Sequence, residues 1–518
     1  MRLRQQQKSP RSTFQVKPRY HKRIECDRRS IAKRLARKNY VEQADTMLKD
    51  VNIAYQVGER TRAVGYGGLG VMHKLVCRLE LDQAINRGVS VLKAHLPYHE
   101  SDHVLNLAYN ILSGGSCLED LERLRQDESY LDGLGAERIP DPTTAGDFLR
   151  RFNRADLLSL QEALNGVRRR VWAQQGRREF LKEGIIDIDG TIAGTTGACK
   201  GGLEMSYKGL WGYAPLLVTL ANTKEVLYLE NRSGNQKSGD EAAVEWIDRG
   251  IELVSQSFAR VWVRGDTDFS LTRHFDRWDE QVKFVFGYDA MGNLVQQADK
   301  LAEKEWQPLA RAARYEIKTK ARRRPENVKE QVVKTRAYRN LALQGEAVAE
   351  FAYQPARSQK VYRMVALRKN LSVAKGELRL FDQIKYFFYI TNDWKKTAAE
   401  IVLFANQRCD QENVIEQLKN GVGAMRMPSS DLHSNWAYMI TAALAWNLKA
   451  WFGLLLCEPA AGAAIMRMEF KKFLWQFMQL PCQIVKTGRR VVYRILTYRA
   501  DLKLLLRSFE SFKQLKLA

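Results

Sequence analysis

The chain has 518 residues, with 83 Lys+Arg against 59 Asp+Glu, for a formal net charge of +24. At 45% hydrophobic and 27% charged residues it can bury a large core, which excludes a disordered or fibrous protein, and its basicity sets it apart from an ordinary metabolic enzyme. Seven cysteines, scattered and without any C-x-x-C pair, argue against a disulfide framework or a zinc ribbon and favour a reducing compartment. The N-terminal MRLRQQQKSPRSTF has no apolar stretch and does not read as a secretory signal.

In chain order, residues 1–40 read as a basic arm whose end, RRSIAKRLARKNY, passes into a helix. Residues 41–180 read as a helical DNA-binding domain: GVMHKLVCRLELDQAI, HVLNLAYNIL, CLEDLERLRQD and TTAGDFLRRF space apolar residues by three and four, with Thr143 or Thr144 as N-cap of the last. Over 181–290 the period changes. GIIDID, YAPLLVTL and KEVLYLE predict three strands, the last two joined by a turn at Ala221-Asn222-Thr223. A helix over SGDEAAVEWIDRGIELVSQSF, a strand RVWVRGD, a helix LTRHFDRWDEQ and a strand VKFVFGY follow. Three sequential strands and then helix-separated parallel ones is the element order of an α/β, ribonuclease-H-like core. Residues 291–390 read as a β-rich insertion carrying basic KTKARRRPENVKE and strand-like EAVAEFAY, VYRMVAL and IKYFFYI. The core resumes over 391–460 with TAAEIVLFANQRCDQENVIEQLKNG, capped at Gly421, and the apolar Tyr438 to Cys457. Asn447 and Lys449 near the middle of that last run mark it as a buried helix and not a membrane span. Residues 461–518 form a basic C-terminal segment.

Charge is concentrated in residues 1–40 (+12), 311–340 (+8) and 467–518 (+9), which leaves the remainder slightly acidic. Several basic surfaces on a near-neutral body suit a polyanion, and double-stranded DNA is the expected partner.

The chemistry falls on acids. Asp187 and Asp189 close the first strand of the α/β unit and Asp266 closes RVWVRGD. In the expected sheet these strands are parallel neighbours, so their C-terminal carboxylates converge, and two such groups do not both stay charged without a cation. Hard oxygen donors suit Mg²⁺ or Mn²⁺. Along ANQRCDQENVIEQLKNG, Arg408, Glu412 and Lys419 fall at about 0°, 40° and 20° on an ideal helix and share one face, so Glu412 can supply a third carboxylate between two phosphate-gripping cations.

These residues carry a resemblance. Asp189 in DIDGT, Asp266 in RGDTDF and Arg408-x3-Glu412-x6-Lys419 resemble the DDE-type transposases of bacterial insertion sequences, in the branch with a Tyr-Arg-Glu-Lys signature, and within it the insertion sequence thirteen-eighty group. The resemblance implies a β-rich insertion between second Asp and Glu, which fits the 145 residues between Asp266 and Glu412. It further implies catalytic, metal-holding Asp189, Asp266 and Glu412 around two divalent ions, phosphate-binding Arg408 and Lys419, action on the terminal inverted repeats and on target DNA as a homodimer, and a cytoplasmic, nucleoid-associated place of work. Asp187 and Glu416 stand as alternatives for the first and third acids; the signature's Tyr falls on Ala405, beside Phe404.

Two other functions compete: a haloacid-dehalogenase-like phosphatase, with Asp187 of DIDGT as nucleophile, and a DNA-binding protein without catalysis. Weaker signals have plainer readings. Gly65-Tyr66-Gly67-Gly68-Leu69-Gly70 is expected to be a turn before a helix. His95, His99 and His103 are expected at the surface without a metal, because Pro97 breaks any helix that would align them. Trp306 and Trp394 are expected to pack in the insertion, with base stacking as the alternative.

Overall fold

The computed structural model describes residues 17–36, 53–56, 61–175, 179–197, 199–311, 339–375, 378–456, 458–488 and 490–515. Most of the basic arm outside 17–36 and most of the basic 311–340 segment lie outside the described residues.

The chain opens with α1 (Pro18–Leu35), β1 (Ala63–Val64) and then α2 (Leu69–Arg78), α3 (Leu81–Gly88), α4 (Glu100–Leu112), α5 (Asp120–Arg125), α6 (Glu128–Leu134), α7 (Pro142–Leu149) and α8 (Arg154–Ala173). The expected single run through GVMHKLVCRLELDQAI is two helices, because Glu80 takes a left-handed φ of 50°. The cap of α7 is Asp141, not Thr143 or Thr144: its Oδ1 accepts from the Thr144 amide at 2.9 Å, and Pro142, needing no hydrogen bond there, opens the helix. The Gly65–Gly70 run is a turn into α2. Gly67 and Gly68 are required by close approach, since a Cβ on Gly68 would lie 1.8 Å from the Phe477 carbonyl oxygen.

The α/β part comprises β2 (Gly184–Gly190), β3 (Ala193–Gly194), β4 (Glu204–Met205), β5 (Trp211–Tyr213), β6 (Leu216–Leu220), β7 (Glu225–Glu230), α9 (Glu241–Ser255), β8 (Val261–Gly265), α10 (Phe275–Asp279), β9 (Lys283–Tyr288), α11 (Gly292–Asp299), β10 (Gln307–Pro308), β11 (Arg339–Tyr353), β12 (Tyr362–Lys375) and β13 (Leu378–Thr391). Nine of these strands form one mixed sheet in the order β10-β11-β12-β13-β9-β8-β2-β6-β7. The first strand of the unit sits at its centre. β6 runs antiparallel beside it and β8 parallel on its other side, with β9 parallel to β8. The β-rich segment does not stand apart: β13 pairs antiparallel with β9 and prolongs the same sheet.

After the sheet come α12 (Ala398–Asn406), α13 (Cys409–Glu416), α14 (Leu432–Leu454), α15 (Pro459–Arg467), α16 (Phe470–Phe473), β14 (Cys482–Thr487), β15 (Arg490–Ile495) and α17 (Leu502–Lys513). β1 joins β14 and β15 in a small sheet that ties the N-terminal side to the C-terminal side.

Alternation along β2 sorts its residues between two cores. Ile186 and Ile188 face the larger core, shared with α9 and the helices that follow. On the other face, Ile185 packs in a smaller cluster with Trp262, Val285, Ile401 and Val402, which places α12 over this side. Helix α14 lies in the larger core against β7, α4, α8 and α15, and is buried from Ser434 to Leu454. Its polar residues are satisfied there. Asn447 Oδ1 accepts from the Val226 amide at 2.9 Å and its Nδ2 donates to the Val226 carbonyl at 3.0 Å. Lys449 donates to the carbonyls of Met466 (3.1 Å) and Met468 (2.6 Å), and burial pushes its pKa down to about 7. Among the described residues no helix is long and apolar enough to cross a membrane.

One buried carboxylate fastens these layers. Glu225, at the start of β7, accepts from Arg168 Nε (2.9 Å) and Trp172 Nε1 (2.9 Å) of α8, from Trp451 Nε1 (2.6 Å) of α14, and from Thr223 Oγ1 (2.6 Å). A fully buried charge persists only when paired and hydrogen-bonded, and this one has four donors.

Candidate active site

The site grows out of the β2–β8 ladder. In register, Ile185 lies opposite Trp262 and Asp187 opposite Arg264. Period two puts these residues and the next pair, Asp189 and Asp266, on one face, so the two strands present an apolar pair, an ion pair and then two acids at their C-terminal ends.

Asp187 and Arg264 are both buried. Arg264 Nε and Nη2 donate to the two carboxylate oxygens at 2.6 and 2.8 Å, and its Nη1 donates to the Phe404 carbonyl at 2.7 Å. This bidentate pair closes the floor of the site. It also withdraws Asp187 from substrate, so the phosphatase nucleophile reading has no accessible group.

Asp189 and Asp266 are placed differently. Arg408 Nη1 donates to Asp189 Oδ2 at 2.9 Å, and the Gly190 amide donates to Oδ1 at 2.8 Å. Burial raises the Asp189 pKa to about 6; Arg408 opposes that and the neighbouring Asp266 charge adds to it. Asp266 is likewise raised, chiefly by burial, with Arg408 opposing and Asp268 adding, while its Oδ1 accepts from the Asp268 amide at 3.0 Å. The two carboxylates therefore feel each other and share one guanidinium. Hard oxygens in a half-screened, charge-frustrated pocket fit a divalent cation.

The helical segment over this face departs from the ideal wheel. α12 ends at Asn406 and α13 begins at Cys409, so Arg408 sits at the junction, and residues Gln417–Gly421 form a π-helical turn. The left-handed glycine beyond is Gly423 (φ 66°), and not the expected Gly421. Gln411 pins α13 to the sheet: it is buried and its Nε2 donates to the Asp187 carbonyl at 3.0 Å. Lys419 Nζ donates to Thr191 Oγ1 at 2.7 Å, two residues past Asp189. The structure thus brings Asp189, Asp266, Arg408, Thr191 and Lys419 together. Glu412 is exposed on α13, one turn past Arg408 and not paired with either acid; Glu416 is also exposed and accepts from Asn420 Nδ2 at 2.5 Å. Ala405 packs beside the smaller core, and Phe404 lies against Trp262 and under Arg264.

Arg264, Gln411 and Thr191 were not singled out by sequence reasoning. Arg264 had a signal: it precedes Asp266 by the same two residues that separate Asp187 from Asp189. The aromatic candidates separate. Trp306 is 7% exposed beneath Arg368, whose guanidinium lies 4.4 Å from the ring centroid. Trp394 is exposed but follows the end of β13, where Asn392 bonds the start of β9, at the opposite end of the parallel strands from the acids. Pro97 does not keep His95 and His99 apart: their rings stack at 4.2 Å beside Glu100, whereas His103 is buried against Phe148.

Over residues 53–517 the sequence matches the family described as Transposase DDE domain group 1. The chain belongs to that family and is a DDE transposase, an enzyme of DNA cleavage and transfer. None of the curated protein sequences matches it. Among solved structures it is similar to a piggyBac transposase in a synaptic complex with hairpin DNA, at 10% identity and a TM-score of 0.35, covering 80% of this chain and 81% of that one; the likeness is too slight to carry the assignment.

Proposed function

We propose that the central strands form a ribonuclease-H-like core in which Asp189, Asp266 and Glu412 hold two divalent ions, Mg²⁺ or Mn²⁺, at the ends of an insertion sequence of the thirteen-eighty group. The observation that carries this reading is the β2–β8 register, which sets Asp189 and Asp266 side by side beyond a closed ion pair with Arg408 over both. Bound ions supply charge neutralisation on the phosphate and a more acidic water. The protein's part is positioning. Asp189 and Asp266 offer oxygens from rigid strand ends, and Glu412 offers a third carboxylate from the helix pinned by Gln411. Arg408 holds Asp189 and, with Lys419, faces the flanking phosphates.

Water attacks the phosphorus at the element's end, the bond from phosphorus to the 3′ oxygen breaks, and that oxygen leaves as a 3′-hydroxyl. The freed hydroxyl then attacks a phosphorus of another strand in line and displaces its 3′ oxygen. Two ends must be held together, so the working form is a homodimer on DNA; the basic segments 1–40, 311–340 and 467–518 supply phosphate contacts with strong salt dependence. The work takes place on chromosomal DNA in the bacterial cytoplasm.

The test is cleavage by purified protein, with Mg²⁺, of duplexes copied from the DNA flanking the coding sequence. Asp189→Ala, Asp266→Ala and Glu412→Ala are each expected to abolish cutting and retain binding; cutting by all three variants sinks the assignment.

A further inference from the structure

Between Thr191 and Pro215 the chain leaves the acidic end of β2 and returns beside it as β6, and in between it builds a small three-stranded sheet of β3, β5 and β4. Met205 of β4 is the cross-strand partner of Trp211 of β5. The connection is a tight turn. The Gly209 amide donates to the Ser206 carbonyl at 2.9 Å, Gly209 takes a φ of 70°, and the Leu210 amide donates to Ser206 Oγ at 3.2 Å.

This hairpin is fixed at its base and bare at its tip. Tyr213 is fully buried and its hydroxyl donates to the Gly201 carbonyl at 2.9 Å, while the Gly201 amide donates to the Ser430 carbonyl at 2.7 Å. Gly234 lies so close beneath that a Cβ there would stand 2.3 Å from the Glu204 carbonyl oxygen. Beyond the anchor, Met205, Tyr207, Leu210 and Trp211 are 47, 83, 52 and 52% exposed. Four large apolar side chains on one short hairpin form a patch that water disfavours and a ligand covers.

The surroundings select the ligand. Lys208 Nζ lies 5.4 Å from the Tyr207 ring centroid, within the patch. Lys419 has its proton affinity lowered by burial, with the Lys208 charge adding to the effect, so the tip is electrostatically next to the acids' own lysine. A flat aromatic pair interleaved with ammonium groups, beside a phosphodiester-cutting pocket, matches a nucleobase with its phosphate better than an apolar protein face.

We propose that the β4–β5 hairpin is a base-stacking wedge: Trp211 and Tyr207 take unpaired nucleobases of the DNA end that is cut at Asp189 and Asp266, and Lys208 holds the adjoining phosphate. The inference rests on the transposase reading and moves the stacking role away from Trp306 and Trp394. Stacking on an aromatic accepts any base, so the wedge adds positioning without sequence choice.

The full chain is tested with duplexes copied from the flanking DNA, carrying 2-aminopurine at the terminal nucleotide, in the absence of divalent ions. Wild-type protein is expected to change the 2-aminopurine fluorescence, and Tyr207→Ala/Trp211→Ala to remove the change while still binding. With Mg²⁺ the double variant is expected to cut paired ends about tenfold more slowly and to recover to near wild-type rate on ends whose last bases are mismatched. An unchanged fluorescence response, an equal loss on paired and mismatched ends, or a double variant whose DNA-free sedimentation shifts to a smaller assembly each overturns the wedge, the last by assigning the patch to a second copy of the chain. If wild-type protein cuts nothing, the function reading fails, and the fluorescence arm alone decides the wedge.

Discussion

Asp187 and Asp189 stand two residues apart on the same strand and face, yet they live in opposite regimes. Asp187 is sealed in a bidentate pair with Arg264, and farther along the sheet Glu225 is sealed by four donors from three elements. Asp189 has one shared guanidinium, a neighbouring acid and an open side. The first two acids are completed by the fold itself. The third is left incomplete by it, and an incomplete buried charge is where a fold has room for chemistry.

The largest effect expected from breaking this contrast is on chemistry. Asp189→Asn and Asp266→Asn are expected to lower the cleavage rate on the order of a thousandfold or more, with DNA binding retained by gel shift. A sealed acid gives the reverse pattern. Glu225→Ala leaves Arg168 buried without its partner and is expected to lose about 3–5 kcal/mol of stability in urea unfolding.

Titration sharpens the comparison. The Asp189 pKa is raised by folding to about 6, so between its unfolded value and 6 the folded chain binds more protons than the unfolded one. Without divalent ion, this group's contribution is present at low pH and is lost as pH rises from about 4 to about 6. Subtracting the pH–stability curve of Asp189→Asn from that of wild type is expected to expose that fall, and added Mn²⁺, which competes with the proton, to reverse its direction. A difference curve flat across this window contradicts the raised pKa. The smallest effect belongs to Lys419, where Lys419→Ala is expected to weaken DNA binding and reduce the slope of log affinity against log salt by about 1.

Much of this arrangement was legible in the residues. GIIDIDG and RVWVRGD declare strands that end in acids, and the three-strand opening dictates where β2 lies in the sheet. What escaped depends on partners distant in sequence. The Asp187–Arg264 pair is a matter of cross-strand register, which neither strand specifies alone. The break between α12 and α13 falls within ANQRCDQ, where no Gly or Pro announces it. Strand character in EAVAEFAY, VYRMVAL and IKYFFYI is plain, but nothing in those runs says that they prolong the central sheet. His95 and His99 meet through a turn of the chain, which a helical spacing argument does not address.

The pairing of β13 with β9 carries an evolutionary consequence. One unbroken lattice of backbone bonds runs from the outermost hairpin to the strand neighbouring the one that ends at Asp266. Exchanging this segment between relatives must preserve odd-even parity at both seams, because a slip of a single residue turns every side chain of a strand to the opposite face. Length changes are absorbed at hairpin tips, such as the one between Tyr353 and Tyr362, and the ladders between them are expected to keep their phase.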